Sequence, residues 1–173
     1  KDIGAYKIEE IHQYLNYEPK LLHRARTKEI FEAKEKLLIQ RITGGNKPIK
    51  VAYDNNQLYN KESINNLILK KDTSFKIKYI LGLLNSTLVN WFYTNQFTNQ
   101  STLTVNLSKE YLAQIPIANG NDKQQDKIIQ IVDKVLDAKK SNKDSSSLEK
   151  QINELVFKLY DLTEDEIKIV EEN

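Results

Sequence analysis

Cysteine is absent from this 173-residue sequence, and so is methionine. Without thiols there is no disulfide framework, no thiolate zinc or iron–sulfur site and no Cys nucleophile. Histidine occurs only at His12 and His23, which excludes a His-rich metal site. Glycine and proline are scarce, with five and three residues. No string matches a Walker loop, which needs clustered glycines before Lys-Ser/Thr. The pair Gly44-Gly45 is followed by Asn46-Lys47-Pro48 rather than by a helical pattern. It reads as a turn and not as a dinucleotide or methyl-donor loop. No apolar run approaches the roughly 18 residues of a membrane span, and no signal-peptide pattern is visible. A chain that begins at Lys1 and contains no Met is expected to be a piece of a longer protein.

What is present suits a globular domain. Charged residues make up 29% and apolar residues 39%, with a mean hydropathy of −0.60. The net charge of +2 hides an asymmetry. Residues 1–80 carry 16 Lys and Arg against 10 Asp and Glu, residues 81–120 one of each, and residues 121–173 nine against 13. A basic first half and an acidic tail imply two different surfaces, of which the first suits a polyanion.

Periodicity divides the chain. Ile8, Ile11, Tyr14 and Leu15 predict one helical face before Pro19. Lys36 to Ile42 and the alternating Ile49 to Tyr53 predict strands joined through the Gly44-Gly45 turn as a hairpin. Residues 75–93 carry apolar positions every three or four residues, from Ile77 to Phe92. They predict one helix, or two meeting near Asn85-Ser86 with Ser86 as a cap. Tyr93 to Gln100 reads as an amide-rich loop. Leu103, Val105 and Leu107 predict one face of a further strand. Beyond Gly120 the pattern is purely helical. Asn121 with Gln124, Ser146 with Glu149 and Thr163 with Glu166 have capping-box spacing. Two helices around the linker 140–145 are expected, either as an antiparallel hairpin with heptad-like seams or as two ordinary amphipathic helices packed on the core, then a short terminal helix.

No catalytic constellation emerges. Glu32-Ala33-Lys34 has the acidic-x-Lys form of a nuclease half-site, but no Pro-Asp precedes it, and a Lys- and Glu-rich chain supplies such triplets by chance. A binding chemistry does emerge. His23, Arg24, Arg26, Thr27, Lys28, Lys36 and Arg41 form a basic stretch, and Lys47 and Lys50 add cations at the hairpin tip. Asn95, Gln96 and Asn99 supply amides. Lys and Arg neutralise phosphates, Arg pairs with guanine and Asn or Gln with adenine. A merely solvated basic surface would show the same composition.

The order of the segments adds to this. LLHRARTKEIFEAKEKLLIQRI at 21–42, VAYDNNQLYNKESINNLIL at 51–69, KYILGLLNSTLVNWFY at 78–93, YLAQIPI at 111–117 and ELVFKLYDLTEDEIKIV at 154–170 follow one another. Together they resemble the TaqI-like C-terminal specificity domain of adenine-specific DNA methyltransferases and fused restriction–modification enzymes. The chain is also similar to half of a type I specificity subunit. In that resemblance 51–69 is a strand pair, 111–117 a closing strand, and His23, Arg24, Arg26 and Thr27 match a basic motif for backbone or groove contact.

The fold expected is α/β in the α+β sense: a target-recognition unit with a small mixed sheet over residues 1–117, then a helical spacer or docking unit over 118–173. The resemblance implies sequence-specific binding of double-stranded DNA on behalf of a restriction–modification enzyme. Its N6-adenine methyltransferase domain would lie N-terminal in the same polypeptide, with or without a fused nuclease. S-adenosylmethionine would belong to that domain, and this stretch would hold no cofactor, metal or catalytic residue. A cytoplasmic protein without membrane contact is implied. The alternative is a structural module that holds partner subunits through its C-terminal helices. An apolar groove would favour that alternative, and a continuous basic face the first reading.

Overall fold

A tight hairpin of β1 (Ile3–Gly4) and β2 (Lys7–Ile8) opens the fold, turning through Tyr6 at φ 58. The computed structural model describes residues 3–12, 14–22, 26–98 and 103–172. A short helix α1 (Lys28–Phe31) leads into β3 (Lys36–Gln40), whose apolar run Leu37-Leu38-Ile39 is buried on both faces. Such a strand must sit inside a sheet that is covered twice. It does: β4 (Ile42–Thr43) continues the chain, and β5 (Val51–Asp54) and β6 (Ile64–Leu67) flank β3 antiparallel in the order β5-β3-β6. Ile39 lies opposite Val51, and Gln40 opposite Ile64. Leu37, Ile39 and Val51 point into the main core, whereas Leu38, Ala52 and Ile64 meet Ile3 on the other face.

The main core is completed by α2 (Ile77–Asn85) and α3 (Thr87–Phe97), which meet at Ser86. Ser86 caps α3 by accepting from the Val89 amide, as its sequence position predicts. Two amides at this junction dock the helices on the edge strand. The Val51 amide donates to Asn85 Oδ1 (3.1 Å), and Asn85 Nδ2 donates back to the Val51 carbonyl (3.0 Å). The Ile49 amide donates to Asn90 Oδ1 (2.8 Å). An edge strand leaves a row of unpaired backbone groups, and these side chains satisfy part of it. Then β7 (Val105–Asn106) pairs with β4, and α4 (Lys109–Leu112) follows.

The remaining chain is helical: α5 (Asp122–Lys140), α6 (Ser146–Leu159) and α7 (Glu164–Glu171). Gly82 lets α2 and α5 touch, since a Cβ there would lie 2.8 Å from Ile128 Cγ2 and 3.1 Å from Val132 Cγ2. The connection into α5 is held by two phenols. Tyr79 donates to the Ala118 carbonyl (2.7 Å), and Tyr160 to that of Pro116 (2.7 Å). One continuous apolar cluster joins Tyr6, Leu37 and Val51 to Ile128, Val156 and Val170.

The mixed α/β class is as expected, and residues 118–172 contain no strand. Capping boxes close Asn121 with Gln124 and Thr163 with Glu166. Several local expectations are corrected. Residues 8–15 form no helix among those described, because the chain turns back at Tyr6 so that its amide reaches the Val51 carbonyl (2.8 Å). The strands at 51–54 and 64–67 pair with β3 rather than with each other. Residues 111–117 contain no strand, since Ser108 caps a helical turn there. Leu103 is 90% exposed although Val105 and Leu107 are buried. In α6 the cap falls at Ser145, because Asp144 Oδ1 already accepts from the Ser146 amide and hydroxyl.

Two substitutions test this packing. Gly82→Ala gains about 1 kcal/mol of helix propensity, yet overpacking costs about 1–3 kcal/mol. Urea denaturation should show a net loss of stability, and a chain as stable as the parent would mean that the α2–α5 crossing tolerates a methyl. Asn85→Ala strands the Val51 amide, and an unmet buried group costs about 1–3 kcal/mol. The same measurement should report a loss in that range.

Candidate nucleic-acid interface

Strand direction decides which cations meet. Because β5 and β6 both run opposite to β3, they start where β3 ends. There the Gln40 amide donates to the Lys50 carbonyl (3.2 Å) and the Arg41 amide to the Ser63 carbonyl (3.0 Å). Arg41 and Lys50, both half-buried, thus sit at one end of the sheet. Arg26 joins them through the connection to β6: Nη1 donates to Asn60 Oδ1 (2.7 Å) and to the Lys61 carbonyl (3.3 Å). Asn60 and Asn66 exchange amide hydrogen bonds of 2.8 and 3.1 Å beneath it. Partial burial pulls the Arg26 guanidinium below its ordinary value; Glu62 opposes this and Arg41 adds to it. Arg26 and Arg41 act on each other electrostatically, with Glu62 acting on Arg26 and Glu110 on the Arg41 side, and Lys50 leads into β5 at the same end of the sheet.

Upstream, aromatic packing fixes the approach. Tyr17, Phe31 and Tyr59 form a triad with ring centroids 4.6–5.6 Å apart, and Tyr17 donates to the Arg26 carbonyl (2.7 Å). Thr27 is the N-cap residue of α1 without a side-chain cap. Lys28 pairs with Glu32 at 3.2 Å, one helical turn on, and this hydrogen bond holds Glu32 below the usual carboxylate range.

Lys36 is corrected. Its side chain is fully buried, 2.6 Å from Asp54 Oδ2, and it also donates to the Phe31 carbonyl (2.6 Å). Asp54 in turn accepts from the amides of Asn56 and Leu58. Lys36 therefore faces the interior and offers nothing to a ligand. Local sequence concealed this, because a lysine preceding an apolar run reads as a strand end in water.

A second arrangement lies beyond β5. The exposed turn residues Asn46 and Lys47 face α3, α6 and α7 across a groove of about 510 Å³. Thr87, Asn90, Trp91, Thr94 and Asn95 of α3, Asn153 of α6, and Val170 and Glu171 of α7 complete its walls. Lys47 Nζ donates to Thr87 Oγ1 (3.0 Å), and the Thr87 amide donates to Asn153 Oδ1 (2.9 Å). Asn95 and Gln96 are exposed, but on α3 rather than on a loop, because the helix runs on to Phe97. His23, Arg24 and Asn99 lie outside the described residues. Asn46, Trp91, Asn153 and Glu171 went unrecognised in the sequence. The last two come from helices whose place beside α3 no local pattern encodes.

An apolar groove of about 290 Å³ opens between β6, the segment that follows it and α2, lined by Ile39, Leu67, Ile68, Leu69, Phe75 and Ile80 among others. No helix among the described residues is long and apolar enough to cross a membrane.

Known proteins share this sequence pattern. The profile of the TaqI-like C-terminal specificity domain matches residues 1–117. A Methanocaldococcus jannaschii protein named "Putative type II restriction enzyme and methyltransferase" is 28% identical over 169 residues, covering 91% of this chain and 14% of that protein. The chain thus spans only a small part of the curated relative's length.

Removing Lys36 tests its interior role. Lys36→Met leaves Asp54 buried and unpaired, which costs about 3–5 kcal/mol. Urea denaturation should show a loss of that size. A change under about 1 kcal/mol, the worth of an ordinary hydrogen bond, would mean that Asp54 is satisfied without the lysine.

Proposed function

The chain belongs to the TaqI-like C-terminal specificity domain family through residues 1–117, and we propose that it is the target-recognition domain of a restriction–modification enzyme. On this reading it binds double-stranded DNA in a sequence-specific way. It delivers the site to an N6-adenine methyltransferase domain elsewhere in the polypeptide, with or without a fused nuclease. The observation that carries the DNA contact is the gathering of Arg26, Arg41 and Lys50 at one end of the sheet. Such a cluster neutralises several phosphates at once, and the counterions released favour binding at low salt. The size of the M. jannaschii relative supports a recognition module within a much larger protein.

Methyl transfer itself belongs, in this proposal, to the other domain. The chain has no Asn-Pro-Pro-aromatic string. Its Gly45, at φ 86, has open space around it and leads through the Pro48 turn into β5, not into a helix N-terminus. These residues do not fit S-adenosylmethionine, which would be held by the methyltransferase domain. We further propose a cytoplasmic location, where such an enzyme meets DNA.

A second reading has one observation in its favour. The apolar groove beside β6 exposes Ile68 at 45%. Apolar patches of this kind mark contact surfaces between proteins. The methyltransferase domain of the same polypeptide is the partner proposed for it, and this use is compatible with the first.

The test is fluorescence anisotropy of the 173-residue chain on duplexes over a salt series. The double variant Arg41→Ala, Lys50→Ala should weaken cognate and scrambled duplexes alike. The log–log salt slope should fall by about 0.9 for each phosphate left without its cation. Unchanged affinity and slope would remove the sheet end from the interface.

A further inference from the structure

We propose that the outer edge of β6 takes an additional strand, an extended segment of the methyltransferase domain of the same polypeptide, whose apolar side chains fill the groove between β6 and α2. This rests on the reading above that the groove contacts that domain, and it names the mode of contact. Register fixes which backbone groups are left over. The Arg41 amide donates to the Ser63 carbonyl, and the pairing runs residue by residue from there to Leu37 opposite Leu67. Hydrogen-bonded positions alternate along an antiparallel pair. Residues 63, 65 and 67 therefore point their backbone groups at β3, and residues 64, 66 and 68 point theirs away from it. The Ile64 amide turns back to the Lys61 carbonyl (3.2 Å). The Ile64 carbonyl, both backbone groups of Asn66 and the Ile68 amide meet no partner among the described residues. At the other edge of the sheet the outward groups of Val51 are taken by Asn85 and by the Tyr6 amide.

An open edge of this kind pairs with extended chain. The side chains of β6 set the pattern of that chain. Leu67 and Leu69 turn to the main core and the groove, and Asn66 to the opposite face, where it is bonded to Asn60. An added strand presents alternate side chains to the same two faces. Its apolar residues enter the groove beside Leu67, Leu69, Leu112 and Ile117, and its polar residues lie beside Asn66. Size selects the occupant. A four-residue strand such as β6 runs only about 14 Å. Such an edge buries far less than the roughly 1,200 Å² that holds separate molecules together, which argues against a second copy of this chain. A segment of the same polypeptide needs no such area, because tethering raises its effective concentration to the millimolar range. The M. jannaschii relative, of which this chain covers 14%, has the length for such a domain.

The experiment compares the 173-residue chain with the whole polypeptide by hydrogen exchange and by hydroxyl-radical footprinting. In the whole polypeptide the Asn66 and Ile68 amides should exchange at least about tenfold more slowly, the factor one added hydrogen bond provides. Ile68, Leu69 and Phe75 should also be oxidised less there. Ile68→Pro removes one outward donor at a place where an edge strand tolerates proline. In the whole polypeptide it should return Asn66 to its rate in the 173-residue chain, while the Leu37 and Ile39 amides, bonded to β6 from within the sheet, keep theirs. If those two also speed up, the variant has lost its fold, and the comparison of the two unsubstituted proteins decides alone. An Asn66 amide that stays protected in the folded variant would overturn the added strand. So would side chains shielded from oxidation beside Asn66 and Ile68 amides that exchange alike in both proteins, and the docking reading would then stand. Amides and side chains both unchanged would overturn the docking reading as well.

Discussion

The edge of the sheet at β5 governs how the chain is put together. A three-stranded sheet cannot bury its outer strand without finding partners for the groups that face away from its neighbour. Asn85 meets both the amide and the carbonyl of Val51, and Asn90 meets the amide of Ile49. A helical side chain thereby does what a fourth strand would do. Since Asn85 ends α2 and Asn90 lies in the first turns of α3, these bonds set the height and direction of both helices. The groove inherits its shape from them, because Asn90 and Thr87 belong to the same turns.

The buried pair of Lys36 and Asp54 fixes the opposite end of the sheet. Fully enclosed charges are tolerated only when every remaining valence is used. Here the lysine also reaches Phe31, and the aspartate ties down the turn through Asn56 and Leu58. One end of β3 is closed by an internal ion pair, while the other gathers Arg26, Arg41 and Lys50 near solvent. Of these two ends, the second is the one whose charge a ligand can meet.

The C-terminal helices share the core of the specificity unit rather than hanging from it. Gly82 brings α5 against α2, and Ile152, Val156 and Val170 enter the cluster that contains Leu37 and Val51. Residues 121–173 carry nine Lys and Arg against 13 Asp and Glu. Asn153 and Glu171 line the groove beside the Asn46-Lys47 turn.

Much of this was legible in the sequence because it depends on neighbours in the chain. Helical spacing after Gly120, the caps at Ser86, Asn121 and Thr163, and the strands at 36–40 and 51–54 all follow from local pattern. So does the basic character of the first half. Which lysine is buried was not legible, because Lys36 differs from Lys47 only in what the fold brings beside it. The same holds for the absence of a helix at 8–15, where a bond from Tyr6 to Val51 outweighs a helical apolar pattern. It holds again for Asn153 and Glu171, more than 60 residues from Trp91 in the chain and beside it only once α6 and α7 pack on α3. Sequence by itself determined the elements and the kind of charge each carries, since propensity and capping act within a few residues. Tertiary structure alone decided which charges are spent inside and which face a partner, since burial and pairing depend on contacts between distant segments.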